Sequence, residues 1–127
     1  MYKKILVGLV LFGILTTTLA ACGIYDESSV PQGPTAHMSG AVFVTPTITI
    51  SKGQSITLVD DVAVEHIIKN GTWKNGIPDT TKEAGAPTVD ATFTGNDSST
   101  IGPFNTSGKF ELYCTIHQNM NLTVTVS

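Results

Sequence analysis

The chain contains no arginine, and charged residues make up only 13% of its 127 positions. Its ten acidic residues are scattered and its net charge is −3, so no cationic footprint exists. Phosphate binding needs such a footprint, and a nucleic-acid partner is excluded. Cysteine is equally scarce: Cys22 and Cys114 are the whole supply, too few for a disulfide framework. No apolar run after residue 22 is long enough to cross a bilayer, and the earlier one, Ile5 to Leu15, is also too short. No segment carries helical periodicity of useful length, and there is no internal repeat.

What is present begins at the N-terminus. Met1-Tyr2-Lys3-Lys4 is a cationic head, followed by the apolar run and then by Leu19-Ala20-Ala21-Cys22. That order is the layout of a secretory signal. Its ending resembles a bacterial lipobox, which implies that the Cys22 thiol is diacylated and the chain cut before it. Two or more acyl chains give stable anchoring to a membrane. Removal of residues 1–21 from the 127 leaves 106, enough for one small domain, and loss of Lys3 and Lys4 takes the charge from −3 to −5. The reading divides the chain into a lipoprotein signal peptide (1–21), a lipidated flexible tether (22–40) rich in Pro, Gly and Ser, and a folded domain (41–127). The protein is then extracytoplasmic, on the periplasmic or cell-surface side of a bacterial membrane.

Within the domain the texture is that of short strands. Ile48, Ile50, Ile56 and Leu58 alternate with Thr and Ser around Lys52-Gly53-Gln54, and Leu122, Val124 and Val126 alternate with Thr123 and Thr125. Further strands are expected at about 66–69, 91–94, 99–101 and 109–115. Residues 71–89, with Gly71, Gly76, Pro78, Gly85 and Pro87, read as a long loop with at most a weak edge strand or one helical turn. Many short strands with frequent turns predict an all-β, antiparallel Greek-key β-sandwich of seven or eight strands. Trp73, Phe93, Phe104 and Phe110 read as core or loop-packing residues.

The chemistry lies in Gly108-Lys109-Phe110-Glu111-Leu112-Tyr113-Cys114-Thr115-Ile116-His117-Gln118-Asn119-Met120. A thiol, an imidazole and a thioether recur every third residue where a strand runs into a short loop, so all three can face one centre. Two histidines, one cysteine and a weak axial methionine are the ligand set of electron-transfer copper. The chain offers His37 and His66 for the second imidazole; His66, in a strand beside a turn, is the better placed. Ligation would also account for Cys114, which has no disulfide partner if Cys22 is lipidated. The expected metal set is therefore His66, Cys114, His117 and Met120, holding one copper ion that cycles between Cu(I) and Cu(II).

This segment resembles the copper-binding end of the cupredoxins, particularly plastocyanin and amicyanin, and its two-residue gap between His117 and Met120 is amicyanin-like. The likeness continues upstream through Phe43, Pro46, Lys52-Gly53-Gln54 and Asp60-Asp61, and covers about residues 41–126. It implies a monomeric, non-enzymatic carrier of single electrons that docks transiently with redox protein partners. It also implies that the His117 edge reaches the surface within an apolar patch, for which Ile116, Ile77 and Pro78 are candidates. Two departures stand out. Ile116 replaces a proline common before the second histidine. Ile67 replaces the Asn, Ser or Thr common after the first, a position that bears on the hydrogen-bond tie between the two ligand loops.

Other readings have weaker support. A Cys114–His117 nucleophile pair lacks a third orienting group and leaves Met120 idle. A multicopper oxidase needs several paired-histidine motifs, and a thiolate-bridged binuclear site needs two neighbouring cysteines. A copper-handling protein for storage, delivery or resistance uses similar donors without carrying current. A degenerate β-sandwich acting as an interaction module uses none of them. His37-Met38 reads as a tether pair rather than an auxiliary soft-metal contact.

Overall fold

Alternating apolar and hydroxyl side chains become strand along nearly their whole length. In the structure, a computed structural model that describes residues 33–127, the chain forms β1 (Thr35–Ser39), β2 (Val42–Phe43), β3 (Thr47–Ile50), β4 (Ile56–Asp60), β5 (His66–Asn70), β6 (Thr72–Lys74), β7 (Ile77–Asp79), β8 (Asp90–Phe93), β9 (Ser98–Ile101), β10 (Gly108–Cys114) and β11 (Asn121–Val126). Two sheets, ordered β2-β1-β4-β9 and β3-β11-β10-β5-β8, enclose the core as an all-β sandwich, and β6 and β7 form a separate hairpin. The expected signal segment 1–21 and Cys22 lie outside the described residues.

The core follows from the period of two. Along β11, Leu122, Val124 and Val126 are buried while the residues between them are half-exposed, and β4 buries Ile56, Leu58 and Asp60 in the same rhythm. Ala36 and Met38 of β1 join Ile56 and Leu58 from one sheet; Ile68, Phe93, Phe110, Leu112, Leu122 and Val124 answer from the other. β10 departs from alternation, for Leu112, Tyr113 and Cys114 are buried in succession. The reason is cover on both faces, since the Trp73 ring of the hairpin meets Tyr113 edge-on at 5.9 Å.

Several expectations need correction. Residues 35–39 lie in the stretch expected as tether but form β1, paired in parallel with β4 from Thr35↔Thr57 to Met38↔Asp60. The folded domain thus includes this strand. His37 and Met38 then project to opposite faces: Met38 is fully buried, while His37 Nδ1 lies 3.0 Å from the exposed Asp61 carboxylate. The two cannot share a metal. The sheets are mixed rather than wholly antiparallel, because β3 also runs parallel to β11. The described residues hold eleven strands, more than the expected seven or eight, owing to β1, the two-residue β2 and the hairpin. That hairpin replaces the front of the expected loop. Asn75 and Gly76, at φ of 51° and 77°, connect its strands in a two-residue turn with both central residues left-handed.

Met38→Ala tests the place of β1. Loss of a fully buried methionine should lower unfolding free energy by about 2–5 kcal/mol in chemical denaturation. Were β1 a tether, the change would stay within about 0.5 kcal/mol.

Candidate metal centre

Strand register brings the donors together. β5 and β10 pair antiparallel with Ile68 opposite Cys114, so His66, two residues before Ile68, lies at the end of the sheet where β10 gives way to its loop. Tyr113 pairs with Asn121 across β10 and β11, leaving residues 114–120 to turn back between them. The turn closes on itself, as Cys114 N–H donates to the Met120 carbonyl at 3.0 Å and Met120 N–H to the His117 carbonyl at 3.2 Å. Asn119 takes a left-handed φ of 64° to complete it.

His117 Nδ1 stands 3.4 Å from Cys114 Sγ and 3.2 Å from His66 Nδ1. The ligand atoms of His66, Cys114 and His117 all lie within 4.8 Å of one another. First-row ions bind imidazole nitrogen and thiolate sulfur at about 2.0–2.3 Å, which spaces the donors of a trigonal set roughly 3.6 Å apart. The cluster has that size, and its mix of imidazole and thiolate suits a soft or borderline ion such as copper. His66 and Cys114 are fully buried, while His117 is half-buried and offers the site its outlet to solvent. Met120, the fourth expected ligand, is buried at the end of the same loop.

Behind His66 lies a carboxylate that the sequence reading passed over as a donor partner. Asp60, buried at the end of β4 in the opposite sheet, places Oδ1 3.7 Å from His66 Nε2. This is ion-pair range but too long for a hydrogen bond. Neither His66 Nε2 nor Asp60 Oδ2 has a hydrogen-bond partner. A ligating histidine ordinarily turns its other ring nitrogen toward such a group, which fixes the tautomer that leaves Nδ1 free for metal. Burial holds the His66 pKa below its ordinary 6.5, with His117 adding to the effect and Asp60 and Asp97 opposing it.

The two ligand loops are tied without a side chain at position 67. Thr115 N–H donates to the Ile67 carbonyl at 2.8 Å, and the Trp73 indole N–H donates to the Cys114 carbonyl at 2.8 Å. Trp73 was expected only to pack. Nothing in its sequence position marks the bond, although the neighbouring Asn75-Gly76 pair is a strong hairpin signal.

No family model matches the chain, and no curated protein matches it. Solved structures do. Amicyanin from Paracoccus versutus aligns with a TM-score of 0.57 over 79% of this chain and 87% of that one, at 22% identity. A purple cupredoxin from Nitrosopumilus maritimus gives a TM-score of 0.55 over 74% of this chain and 99% of that one, at 20% identity. The chain has a cupredoxin fold. Also similar is a reduced Cu(I) form of an amicyanin variant, with a TM-score of 0.57 and 16% identity over 75% of this chain and 82% of that one. The candidate metal centre therefore sits in a cupredoxin sandwich, at the loop end of β10.

The low His66 pKa sets a pH dependence. The unfolded chain takes up a proton at the ordinary value while the folded chain resists it, so protons favour unfolding. This contribution to stability is complete above the unfolded pKa and is lost as pH falls through it toward the folded one. Thermal melts of the metal-free protein between about pH 8 and about pH 5 should show Tm falling from near 6.5 downward, and His66→Gln should flatten that part of the decline.

Proposed function

We propose that the protein is a mononuclear type 1 copper protein that carries single electrons between extracytoplasmic redox partners. One observation carries the reading: His66 Nδ1, Cys114 Sγ and His117 Nδ1 converge on one point at the end of a stiff sandwich. Copper, when bound, supplies the Cu(II)/Cu(I) couple. The chain's part is to hold two imidazoles and a thiolate in an arrangement acceptable to both oxidation states. Met120 is assigned the weak axial position, on its place at the close of the ligand loop and on the chemistry of its thioether.

His117 serves as the path for the electron, since it alone of the three donors is partly exposed. Exposed apolar side chains support transient docking beside it: Ile116 is 48% exposed and Ile77, on the hairpin whose turn reaches the ligand loop, is 70% exposed. An electron carrier of this kind is not an enzyme and works as a monomer. Cys22 would anchor it by lipid to a bacterial membrane, a reading supported by the cationic head, the apolar run and Leu19-Ala20-Ala21-Cys22.

Addition of Cu(II) to the purified protein should give stoichiometric binding, an intense visible charge-transfer band and a reversible potential, all absent from Cys114→Ser. Colourless binding of Cu(I) alone would instead identify a copper handler. Met120→Leu should keep the copper and raise the potential, because loss of an axial donor disfavours Cu(II) more than Cu(I). In a bacterial host, Cys22→Ser should move the protein from the membrane to the soluble fraction.

A further inference from the structure

Hairpin β6–β7 contributes little to the core. It has two three-residue strands, and none of their residues is fully buried. A two-stranded hairpin of this size is not stable by itself. Its hydrogen bonds nevertheless converge on the ligand loop and the first residue after it. Trp73 Nε1–H donates to the Cys114 carbonyl at 2.8 Å. Trp73 N–H donates to Asn121 Oδ1 at 2.8 Å, and Asn121 Nδ2–H returns a bond to the Trp73 carbonyl at 3.0 Å. At the turn, Gly76 N–H donates to Asn119 Oδ1 at 3.2 Å, and Gln118 Nε2–H donates to the Gly76 carbonyl at 3.1 Å. Five bonds thus join the hairpin to residues 114, 118, 119 and 121, at both ends of the loop that bears Cys114, His117 and Met120.

The hairpin is itself pinned. Lys74 Nζ donates to Asp79 Oδ2 at 2.6 Å, and Thr81 N–H donates to Asp79 Oδ1 at 3.0 Å; these bonds, the one from Lys74 foremost, hold the Asp79 carboxyl well below the usual carboxylate range. Its approach to the loop is so close that a Cβ on Gly76 would lie 2.6 Å from Gln118 Nε2. None of these contacts uses a side-chain donor atom of His66, Cys114, His117 or Met120.

From this geometry we infer that the β6–β7 hairpin is a brace that holds the ligand loop in its converging form before metal arrives, with Trp73 as the positioning residue acting through the Cys114 carbonyl. The inference deepens the copper reading above, but its primary readout needs no metal. A loop ordered in advance spares the bound ion the entropy of ordering it, and holds the donors alike in both oxidation states. The brace also supplies the restraint that Ile67 cannot offer through its side chain.

The test is amide hydrogen exchange on the metal-free full chain, wild type against Trp73→Phe, which keeps a ring against Tyr113 but loses the N–H donor. Exchange of the hydrogen-bonded amides of Cys114, Thr115 and Met120 should quicken about tenfold, the worth of one net hydrogen bond, while β1, β4 and β9 stay unchanged. A second variant, Gln118→Ala with Asn119→Gly, cuts the bonds at the turn and keeps a residue tolerant of positive φ at 119. It should give the same local pattern, and it carries the test if Trp73→Phe does not fold. Unchanged exchange in the loop, or a uniform rise across the sandwich, overturns the brace. In copper-loaded protein, Trp73→Phe should weaken Cu(II) binding about tenfold more than Cu(I) binding and so raise the potential, since Cu(I) tolerates a slack donor set better. If wild type takes up no copper, the electron-carrier reading falls, and the exchange data still decide the brace.

Discussion

Two imidazoles and a thiol are held within mutual reach at one end of the sandwich. Apolar surroundings penalise a buried polar group that lacks a partner, and His66 is fully buried with an unpartnered Nε2. An arrangement of this kind costs stability. It is maintained because the pairing of β5 with β10 leaves His66 and Cys114 no freedom to part: shifting that register by one residue would turn one whole strand inside out. Folding of the hydrophobic core therefore already brings His66 and Cys114 together.

That coupling bears directly on the proposed electron transfer. A carrier works best when its donors barely move between oxidation states, and movement here is resisted from several directions. Cys114 is hydrogen-bonded through its amide to Met120 and through its carbonyl to Trp73, while the next residue is bonded to Ile67. His66 has a buried carboxylate behind it, from the opposite sheet. Only His117 is open on one side, and on the proposed reading it is the donor through which an electron would leave without crossing the core. Stiffness and access are thus divided between different ligands.

Legibility followed the range of the interactions. Cys114, His117 and Met120 stood out as candidate donors because they occupy one short segment, and His66 because few histidines compete with it. β3, β4 and β11 declared themselves by local alternation. β1 did not, since Thr35-Ala36-His37-Met38-Ser39 offers just two apolar residues beside a Pro- and Gly-rich stretch. Its strand state comes from parallel pairing with β4, some twenty residues away in sequence, which no local window contains. Parallel pairing likewise escaped notice at β3 and β11. The hairpin was lost for a different reason: Asn75-Gly76 carries a clear turn signal, but glycines and prolines around it made the whole region look irregular. The partnership of Asp60 with His66 spans both sheets and has no signature in spacing at all.

The break of alternation in β10 shows how the sandwich and the hairpin act on one ligand. Leu112 and Cys114 turn toward the core, and Tyr113 between them would face solvent on a bare sheet; instead it is covered by Trp73. Gly71 makes that cover feasible. It follows directly on β5, has a φ of 124°, and any side chain there would run into the Asp79 carbonyl and the Tyr113 ring. The strand that begins with one candidate metal-site histidine is therefore followed at once by the residue that lets the chain fold back over the neighbour of the cysteine. With core packing on one face and the hairpin on the other, the backbone at Cys114 is clamped from both sides, which on the proposed copper reading would leave the protein frame little part in absorbing a change of oxidation state.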